Sequence, residues 1–127
     1  MIVLDASVLI AYLDEGDGHH ADAEAMLEAA VDDDLGINPL TLAEVLVGPV
    51  RHDRLGPVQE TLRDLEVHEV PFPGDAAVRL ARLRAETGLK MPDCCVVLAA
   101  EIADATVGTF DRQLSRVTEE RKAPHHL

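Results

Sequence analysis

The sequence predicts an α/β sandwich around a mostly parallel sheet, and three observations carry that prediction. Short apolar or alternating runs recur at residues 2–4, 35–37, 67–70 and 106–108. The segments between them space their apolar residues by three or four, the period of a helix buried on one face. Each gap is long enough for one or two helices, and parallel strands need such crossover connections.

Taken in order, Ile2, Val3 and Leu4 form a β-branched, apolar run that reads as a strand buried on both faces, with Asp5 directly after it. A first helix starts over 8–13. After the Gly16-Asp17-Gly18 break a second spans 20–31, with Ala23, Met26, Leu27 and Ala30 on one face. Residues 35–37 make a strand closed by Asn38 and Pro39. A helix follows from Thr41 through Val45 and Leu46, with Gly48 as its stop. Residues 56–65 are amphipathic at Val58, Leu62 and Leu65, and 67–70 alternates like a strand before Pro71-Phe72-Pro73-Gly74 breaks the chain. Asp75 reads as the N-cap of a helix carrying Val78, Leu80 and Leu83. Residues 92–103 are apolar on nearly every side, which places them as a central buried helix. Residues 106–108 are the last core strand, 111–117 a short closing helix, and 118–127 a loose tail that includes His125 and His126.

A chain of 127 residues with 47% hydrophobic residues can bury one core, so a single domain over 1–127 is expected. The first thirteen residues are interrupted by Asp5, lack a basic flank and are too short to span a bilayer. A soluble cytoplasmic protein with no membrane partner is the expectation. The two cysteines, Cys94 and Cys95, are sequence neighbours that cannot staple distant segments and have no second Cys or His pair for zinc. They read as small buried residues in a reducing compartment.

Net charge is −13, and it is lopsided. Residues 1–50 hold 11 acids and no Lys or Arg, whereas 51–127 hold 13 acids against 11 bases. Such a balance opposes non-specific nucleic-acid binding, which neutralises phosphates with Lys and Arg.

Four acids stand in apolar contexts: Asp5, Glu44, Asp93 and Asp111. Carboxylates in such surroundings are paired or hold a metal, and the one adjacent Arg, Arg112, cannot neutralise four of them. A hard cation such as Mg²⁺ or Mn²⁺ suits an all-oxygen set. Each acid also has a structural reading. Asp5 or Ser7 can cap the first helix. Thr41-Leu42-Ala43-Glu44 matches a capping box. Asp93 and Asp111 stand at helix starts, where the dipole favours an acid. Ligands of parallel sheets bind beyond the carboxyl ends of the strands, which is where Asp5 and Asp111 should lie.

The order Val3-Leu4-Asp5-Ala6-Ser7, Thr41-Leu42-Ala43-Glu44-Val45-Leu46, Met91-Pro92-Asp93-Cys94-Cys95-Val96-Val97-Leu98 and Gly108-Thr109-Phe110-Asp111-Arg112 resembles PIN-domain ribonucleases, especially the VapC toxins of bacterial toxin–antitoxin pairs. The resemblance covers essentially the whole chain. Cys94 stands where the family usually has Ala, a small-for-small exchange.

The resemblance implies a three-layer α/β/α fold whose acids Asp5, Glu44, Asp93 and Asp111 converge on one or two Mg²⁺ or Mn²⁺ ions. Ser7 and Thr109 match hydroxyl positions beside that set, where they orient a carboxylate or water or serve as ordinary caps. It implies an endoribonuclease acting on structured RNA, transfer or ribosomal, through metal-activated water. The expected ends are a 5′-phosphate and a 3′-hydroxyl. It further implies a VapB-type antitoxin that blocks the acidic site, commonly through a basic segment, and a toxin homodimer.

The groups that hold RNA must come from the second part of the chain: Arg51, Arg54, Arg79, Arg82, Arg84, Lys90, Arg112 and Arg116, with Lys90 and Arg112 nearest the acids in sequence. Phe72 and Phe110 are the only Phe residues, with Tyr12 the only Tyr and no Trp, so a stacking platform is poorly supplied. His19 and His20 stand in an acidic, Gly-bounded segment and point about 100° apart on a helix, which reads as a surface pair. A phosphoacceptor receiver domain would want an acidic pair after the first strand and a Lys near the last. A haloacid-dehalogenase-type phosphatase would want a second Asp where Ser7 stands. Neither pattern is present.

Overall fold

A computed structural model of the chain describes residues 1–122. Its four short strands are β1 (Ile2–Leu4), β2 (Leu35–Ile37), β3 (Val67–Glu69) and β4 (Thr106–Gly108). They pair in parallel throughout, in the order β3-β2-β1-β4. Helices α1 (Ala6–Leu13) and α2 (His20–Ala29) lead from β1 to β2, and α3 (Pro39–Arg51) and α4 (Leu55–Asp64) from β2 to β3. α5 (Ala76–Thr87) and α6 (Met91–Ala103) then carry the chain to β4 on the far side of β1, and α7 (Arg112–Lys122) follows.

The two faces of the sheet bury separate cores, which makes the expected three layers. Val3 faces a core built by Leu83, Leu89, Leu114 and the Cys94 to Ala100 stretch of α6. Ile2 and Leu4, one residue to either side, face the other, with Val8, Leu9, Leu27, Ile37 and Leu62. The period of two in a strand sends alternate side chains to opposite faces, and a central strand covered on both must be apolar throughout. α6 is buried from Cys94 through Ala100, as its all-round apolar sequence requires. Gly108 lies so close to β1 that a Cβ there would stand 3.2 Å from both Ile2 Cγ2 and Leu4 Cδ2.

Element ends differ from the sequence reading where a distant partner decides them. α3 does not stop at Gly48. Gly48 keeps a negative φ, the helix continues through Pro49 to Arg51, and Asp53, at φ 55°, takes the left-handed position just past the His52 cap. Asp75 stands at the N-cap position of α5 but makes no capping bond; its carboxylate lies 4.0 Å from Arg79 Nη1 instead. The loose tail expected from residue 118 is helical to Lys122. Thr118 is buried, and Arg121 bonds Glu101 of α6 at 2.7 Å and Glu86 of α5 at 3.0 Å, which pins the last turn. Residues 123–127, His125 and His126 included, lie outside the described residues. Both cysteines are buried and free, and no helix among the described residues is long and apolar enough to cross a membrane.

Candidate active site

The carboxyl ends of the parallel strands share one edge, and the strand order reverses between β1 and β4. Leu4 is in register with Gly108, so the residues that follow them, Asp5 and Thr109, emerge side by side. The Asp5 backbone N–H donates to Gly108 O at 2.9 Å. The Asp5 carboxylate caps α1: Oδ1 accepts from the Ala6 N–H at 2.8 Å. Oδ2 accepts two hydroxyls, Ser7 Oγ at 2.9 Å and Thr109 Oγ1 at 2.8 Å. Thr109 Oγ1 in turn accepts the Asp111 backbone N–H at 3.0 Å. Ser7 and Thr109 thus orient the first carboxylate, and Thr109 ties the β4 end to it.

Asp93 is half-buried in the first turn of α6. Burial pushes its carboxyl above the ordinary aspartate value of 3.8, Asp5 and then Asp111 push in the same direction, Lys90 opposes them, and Glu44 adds a smaller push. Acids from three other places in the sequence therefore act on Asp93. Among the described residues no ion pair neutralises any of them.

The competing structural readings resolve differently at each position. Asp111 is both a cap and part of the cluster, for its Oδ1 accepts the Gln113 and Leu114 N–H groups at 2.9 and 3.1 Å. The capping box at Glu44 is not formed. The cap of α3 is Asn38, fully buried, whose Oδ1 accepts the Thr41 N–H at 2.9 Å and whose Nδ2 donates to Thr41 Oγ1 at 2.8 Å. This leaves Glu44 without the structural role its sequence context offered. Apolar neighbours also overstated burial: Glu44 and Asp111 are exposed, and only Asp5 and Asp93 are half-buried. The reason is helical geometry, since the apolar residues flanking Glu44 turn to other sides of α3.

Oxygen-only donors with little positive charge among them fit a hard divalent cation. The thiols offer no alternative, because burial raises both and Cys94 Sγ bonds Leu89 O. The carboxylates are nevertheless spread apart. Among the described residues no three His, Cys, Asp or Glu side chains stand close enough to grip one ion, so the fit is one of donor chemistry and charge.

Two of the eight bases proposed for RNA turn out to be engaged. Arg84 Nη1 donates to the Gly88 and Leu89 carbonyls, capping α5 where Gly88 takes φ 71°, and Arg79 faces Asp75. Arg51, Arg54, Arg82, Lys90, Arg112 and Arg116 are exposed. Two features were not found in the sequence. A cleft of about 490 Å³ between α1, α3 and α4 has Glu44 on its wall with Ile10, Val45, Pro49, His52 and Arg54. The His19 ring stacks on Phe110, centroids 4.9 Å apart and planes 18° apart. Only the fold brings residue 19 beside residue 110.

A sequence model of the PIN domain matches residues 2–120. A search of curated proteins returns no significant match. Among solved structures, a toxin–antitoxin complex from Klebsiella pneumoniae is similar at 25% identity and TM-score 0.74, over 87% of each chain. VapC20 of Mycobacterium tuberculosis, a sarcin-ricin loop cleaving toxin, is similar at 16% identity and TM-score 0.75, over 92% of this chain and 95% of that one. VapBC2 from Rickettsia felis, bound to a DNA fragment from its promoter, is similar at 18% identity and TM-score 0.71, over 92% and 93%. With the profile spanning both cores of the α/β/α sandwich and all four acids, the chain belongs to the PIN-domain family.

Proposed function

We propose that this PIN domain is a Mg²⁺- or Mn²⁺-dependent endoribonuclease, the toxin of a VapBC-type pair, acting in the cytoplasm on structured RNA such as transfer or ribosomal RNA. The observation that carries the reading is the half-buried Asp93, whose carboxyl is raised by burial and by the charges of Asp5, Asp111 and Glu44, with Asp5 oriented by Ser7 and Thr109. The neighbours named as toxins support the toxin assignment.

When bound, a divalent ion activates a water at neutral pH and stabilises charge on the phosphoryl and leaving oxygens. The protein's part is to hold and to orient. Asp5 presents an oxygen fixed by two hydroxyls, and Asp111 uses one oxygen for the α7 cap and leaves the other for the site. Asp93 and Glu44 would supply the remaining ligands, and the exposed Lys90, whose charge acts on Asp93, and Arg112, next to Asp111 in sequence, would meet the RNA backbone. Attack by water without the ribose hydroxyl leaves a 5′-phosphate and a 3′-hydroxyl.

The acid excess of residues 1–50 suits an antitoxin with a basic segment. The exposed stripe Leu40, Ala43, Val47 and Val50 on α3 suits a homodimer. Sequencing RNA 5′ ends in cells that express the wild type or Asp93→Asn tests the central claim. Discrete cuts that vanish in the variant are expected; identical profiles from soluble, antitoxin-free protein would overturn it.

A further inference from the structure

We propose that His19 is a nucleobase-stacking residue on the path of the RNA, a role that rests on the ribonuclease reading above. Phe110 sits between Thr109, which holds Asp5, and Asp111. Its ring packs partly into the core beside α1 and is covered on its other side by His19. The His19 side chain is 62% exposed, so the pair presents a flat aromatic surface at the rim of the acidic cluster.

The position is built. The His19 backbone N–H donates to Asp17 Oδ1 at 2.8 Å, and its carbonyl accepts the Ala23 N–H at 2.8 Å at the start of α2. Its Nδ1 stands 3.4 Å from Asp22 Oδ2, a contact on the ring edge that leaves the ring face free. His20 is spent differently, with Nδ1 on Ala11 O at 2.8 Å and Nε2 on Glu24 at 3.0 Å. The adjacent histidines therefore divide into one that ties α2 to α1 and one that faces outward.

Charge strengthens the case. Residues 1–50, the part of the chain that carries His19, contain no Lys or Arg and so bring no fixed cation to a phosphate. A base can be held there by its π-face, since single-stranded bases stack on His and Phe rings without regard to sequence. A His already stacked on Phe110 needs little ordering before it receives a base. The nucleotide it holds is an unpaired one next to the scissile phosphate, which favours a loop over a duplex.

The test uses a short stem–loop RNA carrying 2-aminopurine at successive loop positions, titrated with Asp93→Asn protein in Mg²⁺ so that it stays uncut. Binding with quenching at one loop position is expected. Adding His19→Ala should weaken binding about 5- to 150-fold and abolish that quenching, and His19→Phe should restore both. Unchanged binding and quenching in His19→Ala, with a lower melting temperature, would show that His19 only covers Phe110 and overturn the inference while leaving the ribonuclease reading intact. Failure of the Asp93→Asn parent and of metal-loaded wild type to bind or cut any of these RNAs would remove both.

Discussion

Asp93 holds its proton more tightly than a free aspartate because it is partly desolvated among acids that repel its charge. A carboxyl raised by folding binds more protons in the native than in the unfolded state, so it destabilises the fold increasingly as pH rises from 3.8 through the raised value. Asp93→Asn is therefore expected to raise the metal-free melting temperature by a few degrees above that window. The gain should disappear below pH 3.8, and added Mn²⁺ should stabilise the variant less than the wild type. Melts across pH with chelator or metal check each part. At Thr109 one hydroxyl serves both Asp5 and Asp111, and its loss takes one of two hydroxyl donors from the part-buried Asp5 and releases the exposed Asp111 N–H to water. Thr109→Val should cost about 0.5–1.5 kcal/mol in denaturant unfolding, and Thr109→Ser much less. The sequence singled out four acids but set capping against ligation as alternatives. Asp5 and Asp111 do cap their helices, each through one oxygen, so the cap does not by itself exclude the other reading.

α3 shows how an element's middle is legible where its ends are not. Thr41, Val45 and their apolar neighbours announce a helix by their spacing, but its start depends on Asn38, which reads as a strand-closing turn until its amide is seen bonded to Thr41. Asn38→Ala is expected to lose about 1–2 kcal/mol of stability, since it removes a cap and leaves the buried Thr41 hydroxyl without its donor. Glu44→Gln should leave the melting temperature unchanged while reducing cleavage, measured on whichever RNA the 5′-end mapping identifies. An equal loss of stability would return Glu44 to a structural role. The end of α7 was hidden for a similar reason: its anchor, Arg121, bonds Glu86 and Glu101, residues far away in sequence. Strand positions were more legible, because β1 and β2 are covered on both faces and must be apolar over their whole length. The His19–Phe110 stack left no local signal at all, for it exists only after loops 91 residues apart have been folded together.

Across the whole molecule, charge opposes compactness. With net charge −13 and all eleven bases beyond residue 50, self-repulsion is largest when the screening length is long. Raising ionic strength from about 0.01 M to about 1 M shortens that length from about 30 Å to about 3 Å, so the melting temperature should climb. On the ribonuclease reading, RNA binding should weaken over the same range, because contacts to phosphate would be screened as well. A fold held by nonspecific salt bridges would show the opposite thermal trend. The sheet order has a further outcome for the life of the chain. β1, made first, is completed on its open side only by β4, and the second of the two hydroxyls that position Asp5 arrives 104 residues later. On the ribonuclease reading proposed above, the nascent protein stays disarmed until synthesis has passed Asp111, and a message broken before that codon yields a product that lacks two groups of the proposed site, Thr109 and Asp111.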